Sequence, residues 1–162
     1  MDFARADALN QAIRLLSLRH RARAAALLTP LGLHPGQEVL LLELARSGPM
    51  IQAQLSGALG CEPPSVTLMA SKLEASGHIR RSPAPTDRRA TLVELTDSGR
   101  ELADQVRRAW RTLAEETVVG LGEETVASLP EILGTLAENA GAGRRATGAN
   151  ATTRRPRRTG RG

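Results

Sequence analysis

Apolar residues recur at helical spacing in six segments of the chain and alternate in one short one. Leu9, Ile13, Leu16 and Leu27 trace a stripe over residues 7–28, interrupted by His20 and stopped by Pro30 and Gly32. A second helix is predicted over 35–46, with Pro35 at its first position. Val39, Leu42 and the flanking leucines should face inward, and Ser47-Gly48-Pro49 ends the segment. A third spans 51–59, with Ile51, Leu55, Ala58 and Leu59 inward and Gly60 closing it. Pro63 and Pro64 suit the first turn of a fourth, 63–76, where missing N–H groups cost nothing. Its inner face is Val66, Met69, Ala70 and Leu73, and Gly77 terminates it. The period then drops to two. Ile79–Ser82 and Thr91–Leu95 read as strands, with Val93 and Leu95 alternating against Glu94. Thr96 is a good N-cap for a long helix over 97–118, whose stripe is Leu102, Val106, Ala109, Leu113 and Val118. Gly120 and Gly122 break it. A last helix covers 123–139, with Glu123 and Glu124 matched to its dipole and Pro130 expected to kink or split it.

The third and fourth helices, joined by a tight turn, make a helix-turn-helix. The outer face of the fourth carries Ser65, Thr67, Leu68, Ser71 and Lys72. It is small, polar and almost free of acids. Such a face suits a helix that enters a groove and offers hydroxyls and a cation to base edges. The strands are joined by SPAPTDRRA, too long for a two-residue hairpin. Pro83 and Pro85 stiffen it, and Arg88 and Arg89 lie near its tip. A stiff basic turn beside such a helix can reach phosphates or a minor groove.

Charge sharpens this picture. The formal net charge is +5, yet seven arginines and no acid lie in 141–162, which leaves 15 basic against 17 acidic residues in 1–140. The folded part is near neutral, and its positive charge is local to Lys72, Arg80, Arg81, Arg88 and Arg89, against Glu74 and Asp87. From Gly141 onward no large apolar residue remains, so a disordered tail is expected, able to bind phosphates non-specifically. Arg14, Arg19, Arg21 and Arg23 of the first helix read as a solvated flank.

Other chemistries find little support. No Gly-rich phosphate loop, paired carboxylate or nucleophile motif is present, so neither catalysis nor a cofactor is expected. His20, His34 and His78 lack metal-ligand spacing with one another or with Cys61. Cys61 reads as a small turn-packing residue in preference to a redox switch. Trp110 reads as core or dimer packing in preference to a ligand-pocket wall. A single cysteine rules out an internal disulfide framework and fits a reducing compartment. No apolar run is long enough to cross a bilayer and the N-terminus lacks a signal-peptide pattern, so a cytoplasmic protein is expected.

The residues carry a family resemblance. Leu59-Gly60-Cys61-Glu62-Pro63-Pro64-Ser65-Val66-Thr67, Lys72-Leu73-Glu74-Ala75-Ser76-Gly77, and Asp87-Arg88-Arg89 followed by Val93-Glu94-Leu95-Thr96-Asp97-Ser98-Gly99 resemble, in order and spacing, the winged helix-turn-helix of the MarR family of bacterial transcription regulators. The resemblance covers about 7–139 and implies a mainly α (α+β) fold, a winged helix-turn-helix with long N- and C-terminal dimerisation helices. The domain would be 1–140, with a DNA-reading lobe over 33–99, dimerisation helices over 7–28 and 97–139, and the tail 141–162 outside it. It further implies a homodimer reading a pseudo-palindrome in double-stranded DNA. Helix 63–76 would lie in the major groove and wing 83–90 in the minor groove. Ser65, Thr67, Leu68, Ser71 and Lys72 would then contact bases and phosphates. Arg89 would enter the minor groove, oriented by Asp87, with Arg88 near phosphates. Small anionic or aromatic effectors often bind such proteins between the dimer helices and the DNA-reading lobe. The sequence departs from the family pattern at Leu68, where arginine is common, and at Ile51, where a hydroxyl N-cap is usual. It departs also at His34, in place of Ser or Thr before Pro35, and at Pro130. The alternative is an architectural or protein-interaction dimer that binds nucleic acid non-specifically through its arginine-rich tail.

Overall fold

The computed structural model describes residues 1–85 and 87–149. Helix α1 runs from Phe3 to Leu28. It starts four residues earlier than the apolar stripe suggests, because the Asp2 carboxylate accepts the Arg5 N–H at 2.8 Å and caps it. A 3-10 turn, Thr29–Leu31, follows and ends at Gly32 with φ 69°. Helix α2 is Gln37–Ser47. Pro35 is not its first residue, because Gly36 has φ 98° and breaks the helical path. The inward positions are Leu40, Leu41 and Leu44, and Val39 points to solvent.

Strand β1 is a two-residue segment, Met50–Ile51, absent from the sequence reading. Helix α3, Gln52–Leu59, buries Leu55; Ala58, expected inward, is exposed. Ile51 is its N-cap and supplies no hydroxyl; the Gln54 side chain accepts the Ile51 N–H at 3.2 Å instead. Helix α4 is Pro63–Ala75, strand β2 Ile79–Pro83 and strand β3 Thr91–Leu95. The sheet order is β1-β3-β2, antiparallel throughout, with Met50 opposite Val93 and Ile79 opposite Leu95. Helix α5 spans Asp97–Thr117, and Thr96 caps it by accepting the Gly99 N–H at 3.1 Å. Leu102, Ala103, Val106 and Leu113 form its buried stripe.

Residues 1–117 make one compact unit and 118 onward a second. The core of the first joins Leu28, Leu40, Leu41, Leu55, Val66, Leu73, Val93 and Val106, all nearly solvent-free. Trp110 packs partly buried against it and also lines a groove with His20, Leu113 and Ala114. Glu116 ties α5 to α1 through a two-pronged bond from Arg23, at 2.6 and 2.7 Å. Over residues 3–23 of α1, however, every side chain except Ala6 is exposed, including Leu9, Ile13 and Leu16.

The second unit holds helix α6, Glu123–Ala149. It continues through Pro130 unsplit and runs ten residues beyond the predicted end at 139. Ala140, Ala142, Arg144, Arg145 and Ala146 are strong helix formers, and their propensity outweighs the interspersed glycines. Ile132, Leu133 and Leu136 are exposed on it. Residues 150–162, which hold most of the arginine-rich tail, lie outside the described residues. No described helix is long and apolar enough to cross a membrane.

Candidate nucleic-acid interface

Helix α4 presents its two faces as its period dictates. Val66 and Ala70 are fully buried, Leu73 nearly so, and Met69 is half-buried. Ser65, Thr67, Leu68 and Lys72 are exposed, and Ser71 is half-buried at the margin. The helix ends in a paired carbonyl cap. Gly77, at φ 79°, donates its N–H to the Glu74 carbonyl, and His78 donates to that of Leu73, both at 2.9 Å. Leu68 stands 59% exposed in the middle of a polar face. An apolar side chain there is suited to pack on a thymine methyl group, not to hydrogen-bond.

The wing is closed by its own backbone. The Ala84 N–H donates to Ala90 O at 2.9 Å, and the Ala90 N–H to Asp87 O at 2.9 Å. The Asp87 carboxylate accepts the Arg89 backbone N–H at 2.9 Å. Asp87 therefore shapes the tip through the main chain and leaves both guanidinium groups to solvent. Among the described residues, Arg88, Arg89 and Lys72 have no carboxylate partner.

Arg80 and Arg81, counted with the local positive charge, are engaged. Arg80 is held by Glu94 across the strand pair at 2.6–2.8 Å. Arg81 donates Nε and Nη2 to Glu74 Oε2 at 2.8 and 2.6 Å, and its backbone N–H to Oε1 at 3.1 Å. Arg81 lies on β2 and Glu74 on α4, so this clamp joins the wing to the helix. The side-chain hydrogen bonds from Arg81 hold the Glu74 carboxyl below the ordinary carboxylate range, against an opposing desolvation. A depressed carboxylate stabilises the fold above its unfolded pKa of about 4.3, and the gain is lost as pH falls through the folded value. Glu74→Gln is therefore expected to melt below wild type at pH 7, with the gap closing as the solution is acidified below about pH 4. A gap that stays constant from pH 7 to 3 in thermal melts would show that the clamp contributes nothing through charge.

Two groups are placed by contacts that sequence spacing does not reveal. Thr96 Oγ1 donates to Gly77 O at 2.7 Å and Ser98 Oγ to the same carbonyl at 3.0 Å, so the end of α4 is pinned to the start of α5. Gln52, at the start of α3, reaches Thr67 on α4 at 3.0 Å. Residues 15 apart on different helices share no periodic signal. Cys61 is exposed in the turn between α3 and α4, with Sγ 3.4 Å from Leu59 O. No group of His, Cys, Asp and Glu among the described residues is arranged to hold a metal ion.

Residues 33–91 match the model of the MarR family. The chain is 29% identical over 116 residues to an uncharacterised HTH-type transcriptional regulator of Bacillus subtilis (strain 168), YwoH, an alignment covering 72% of this chain and 81% of the relative. Its fold is that of MarR winged-helix structures. A cysteine-to-serine variant of E. coli MarR, solved in complex with operator DNA, is similar at a TM-score of 0.72 and 24% identity, over 84% of this chain and 99% of that one. A MarR transcriptional regulator from Methanosarcina mazei Go1 is similar at 0.73 and 22%, over 83% and 96%. BpsR of Bordetella bronchiseptica, whose DNA binding is regulated by 6-hydroxynicotinic acid, is similar at 0.72 and 23%, over 79% and 91%.

Proposed function

We propose that the chain, whose residues 33–91 match the model of the MarR family, is a sequence-specific DNA-binding transcriptional repressor, working as a homodimer on a pseudo-palindromic operator. The observation that carries this reading is the pairing of an exposed, acid-poor face on α4 with a wing whose Arg88 and Arg89 are free of carboxylates. Ser65, Thr67, Leu68, Ser71 and Lys72 face the major groove, and Arg89 enters the adjacent minor groove while Arg88 meets phosphates. Asp87 serves by holding the turn. That the E. coli protein of this fold is solved in complex with operator DNA supports DNA as the partner here. Chemistry on a bound substrate has no part in this function.

The control of BpsR by 6-hydroxynicotinic acid supports an effector of similar size here. The cleft between α1 and α5, about 400 Å³ and lined by Leu16, Arg19, His20, Arg23, Leu113 and Glu116 among others, offers the Arg19 guanidinium to a small carboxylate, while Arg23 is paired with Glu116. The protein then acts in the cytoplasm, where its DNA lies.

Selection of bound duplexes from a random pool tests the reading, run with the full chain and with residues 1–149. An enriched inverted repeat, with half-sites about one helical turn apart, is expected from both. A second reading rests on the seven arginines of 141–162: an architectural dimer whose DNA affinity comes from the tail. Binding without an enriched motif, lost on truncation, would establish that reading instead. Arg89→Ala is expected to cost about 1–3 kcal/mol of operator affinity with an unchanged melting temperature, because Arg89 is exposed and makes no side-chain bond among the described residues. Wild-type affinity in that variant, measured by titration, would remove the wing from the interface.

A further inference from the structure

The Thr67 hydroxyl stands in a small closed circuit. It lies 3.0 Å from the Pro63 carbonyl, one turn back on α4, and 3.0 Å from Gln52 Nε2 on α3. A carbonyl only accepts, so the single hydroxyl proton goes to Pro63. The Thr67 oxygen must then accept from Gln52, which fixes the orientation of the Gln52 amide as well. One lone pair of Thr67 remains, facing solvent at the exposed surface of α4.

From this circuit we infer that Gln52 is a positioning residue for operator recognition, which locks Thr67 as a hydrogen-bond acceptor and so makes position 67 select a base carrying an exocyclic amino group. The inference rests on the DNA-reading function proposed above. A free threonine hydroxyl donates or accepts, and so tolerates any base edge. With its proton committed, Thr67 can meet the N6 amino group of adenine or the N4 amino group of cytosine. The O4 of thymine and the O6 and N7 of guanine would face it acceptor to acceptor. Two other features favour selection over simple scaffolding. The pair is solvent-facing, so folding does not require the bond, and Gln52 retains one N–H and its carbonyl oxygen, which leave it able to extend the same contact.

The experiment compares operator selection by the wild-type chain, Gln52→Leu, Thr67→Val and the double variant. In the wild type, one position of each half-site is expected to prefer adenine or cytosine about tenfold over its partner bases. Thr67→Val removes the acceptor and should abolish that preference alone, leaving the others intact. Gln52→Leu removes the donor that holds the Thr67 oxygen from α3, and should flatten the preference at the same position. The double variant should be no worse than Thr67→Val, because Gln52 acts through Thr67. A uniform loss across all sequences on Gln52→Leu, additive with Thr67→Val, would overturn the inference and make Gln52 a phosphate contact. A preference unchanged in Thr67→Val would overturn it equally. Absence of any motif for the wild type would instead defeat the function on which it rests.

Discussion

On the homodimer proposed above, Ile13→Glu combined with Leu16→Glu is expected to convert dimer to monomer and to abolish operator binding at concentrations where the wild type is saturated. Over the first five turns of α1 the large apolar side chains stay exposed among the described residues. Leu9, Ile13 and Leu16 are 45%, 44% and 47% exposed, and Phe3 is 84% exposed. A helix of this length does not hold together in water on propensity alone; its apolar face has to be covered. A second copy related by two-fold symmetry is the economical cover, since it offers the same face in return. In α6, Ile132, Leu133 and Leu136 are exposed in the same way and call for the same cover.

Each leucine or isoleucine buried in such a contact contributes roughly 1.5–3 kcal/mol. Two positions in two copies therefore carry several kcal/mol, and four carboxylates forced into that face would add desolvation and mutual repulsion. Dimer affinity should fall by roughly 10³-fold or more. Operator affinity falls further, because a single lobe loses the effective concentration that one bound half-site gives the other. Light scattering reads the mass directly. A double variant that keeps the dimer mass would show that α1 is not the mating surface. The reading lobe should survive in the monomer, since its core, Leu40 to Val106, does not use either residue.

The winged-helix lobe was legible in the sequence because its signals are local. Strand Thr91–Leu95 matches its alternation, α4 matches its proline start and glycine stop, and Thr96 caps α5 as read. Failure came where local signals are silent. Val39-Leu40-Leu41-Leu42 is apolar at every position, so it carries no phase, and the packing of α2 turned Val39 outward. Strand β1 has two residues, below any recognisable period, and exists because Val93 pairs with Met50. The charge count set five local cations against Glu74 and Asp87 without saying which pair with which; Glu94 takes Arg80 across the strand pair and Glu74 takes Arg81 from α4. The candidate contact residues of α4 and the wing fall on exposed surface except Ser71, which is half-buried, and the Gln52–Thr67 bond that constrains one of them is a tertiary fact.

Gly99 marks the other large effect, and Gly99→Ala is expected to cost roughly 3 kcal/mol or more of stability. Gly99 sits in the first turn of α5 and is buried. A Cβ there would lie 1.8 Å from the His78 carbonyl oxygen and 2.9 Å from its carbon. Both are backbone atoms, so no side-chain rotation relieves the clash. That carbonyl is already fixed, since it accepts the Thr96 N–H at 3.1 Å while the His78 N–H closes the end of α4. Relief therefore requires α5 and the end of α4 to separate, which breaks the Thr96 and Ser98 bonds to Gly77. A loss of this size lowers the melting temperature by roughly 10 °C in a domain of this length. Operator affinity should fall in the protein that remains folded, because α4 would be displaced relative to the helix that positions it. Gly57→Ala is the matched control. Its added Cβ meets nothing within 4 Å on exposed α3, and alanine in a helix interior should stabilise by about 0.5–1 kcal/mol. If both variants melt within a degree or two of wild type, α5 does not approach His78 this closely and the junction is looser than its hydrogen bonds imply. If only Gly99→Ala falls, the absence of a side chain at one position is what allows the first turn of α5 to lie against the His78 carbonyl just beyond α4.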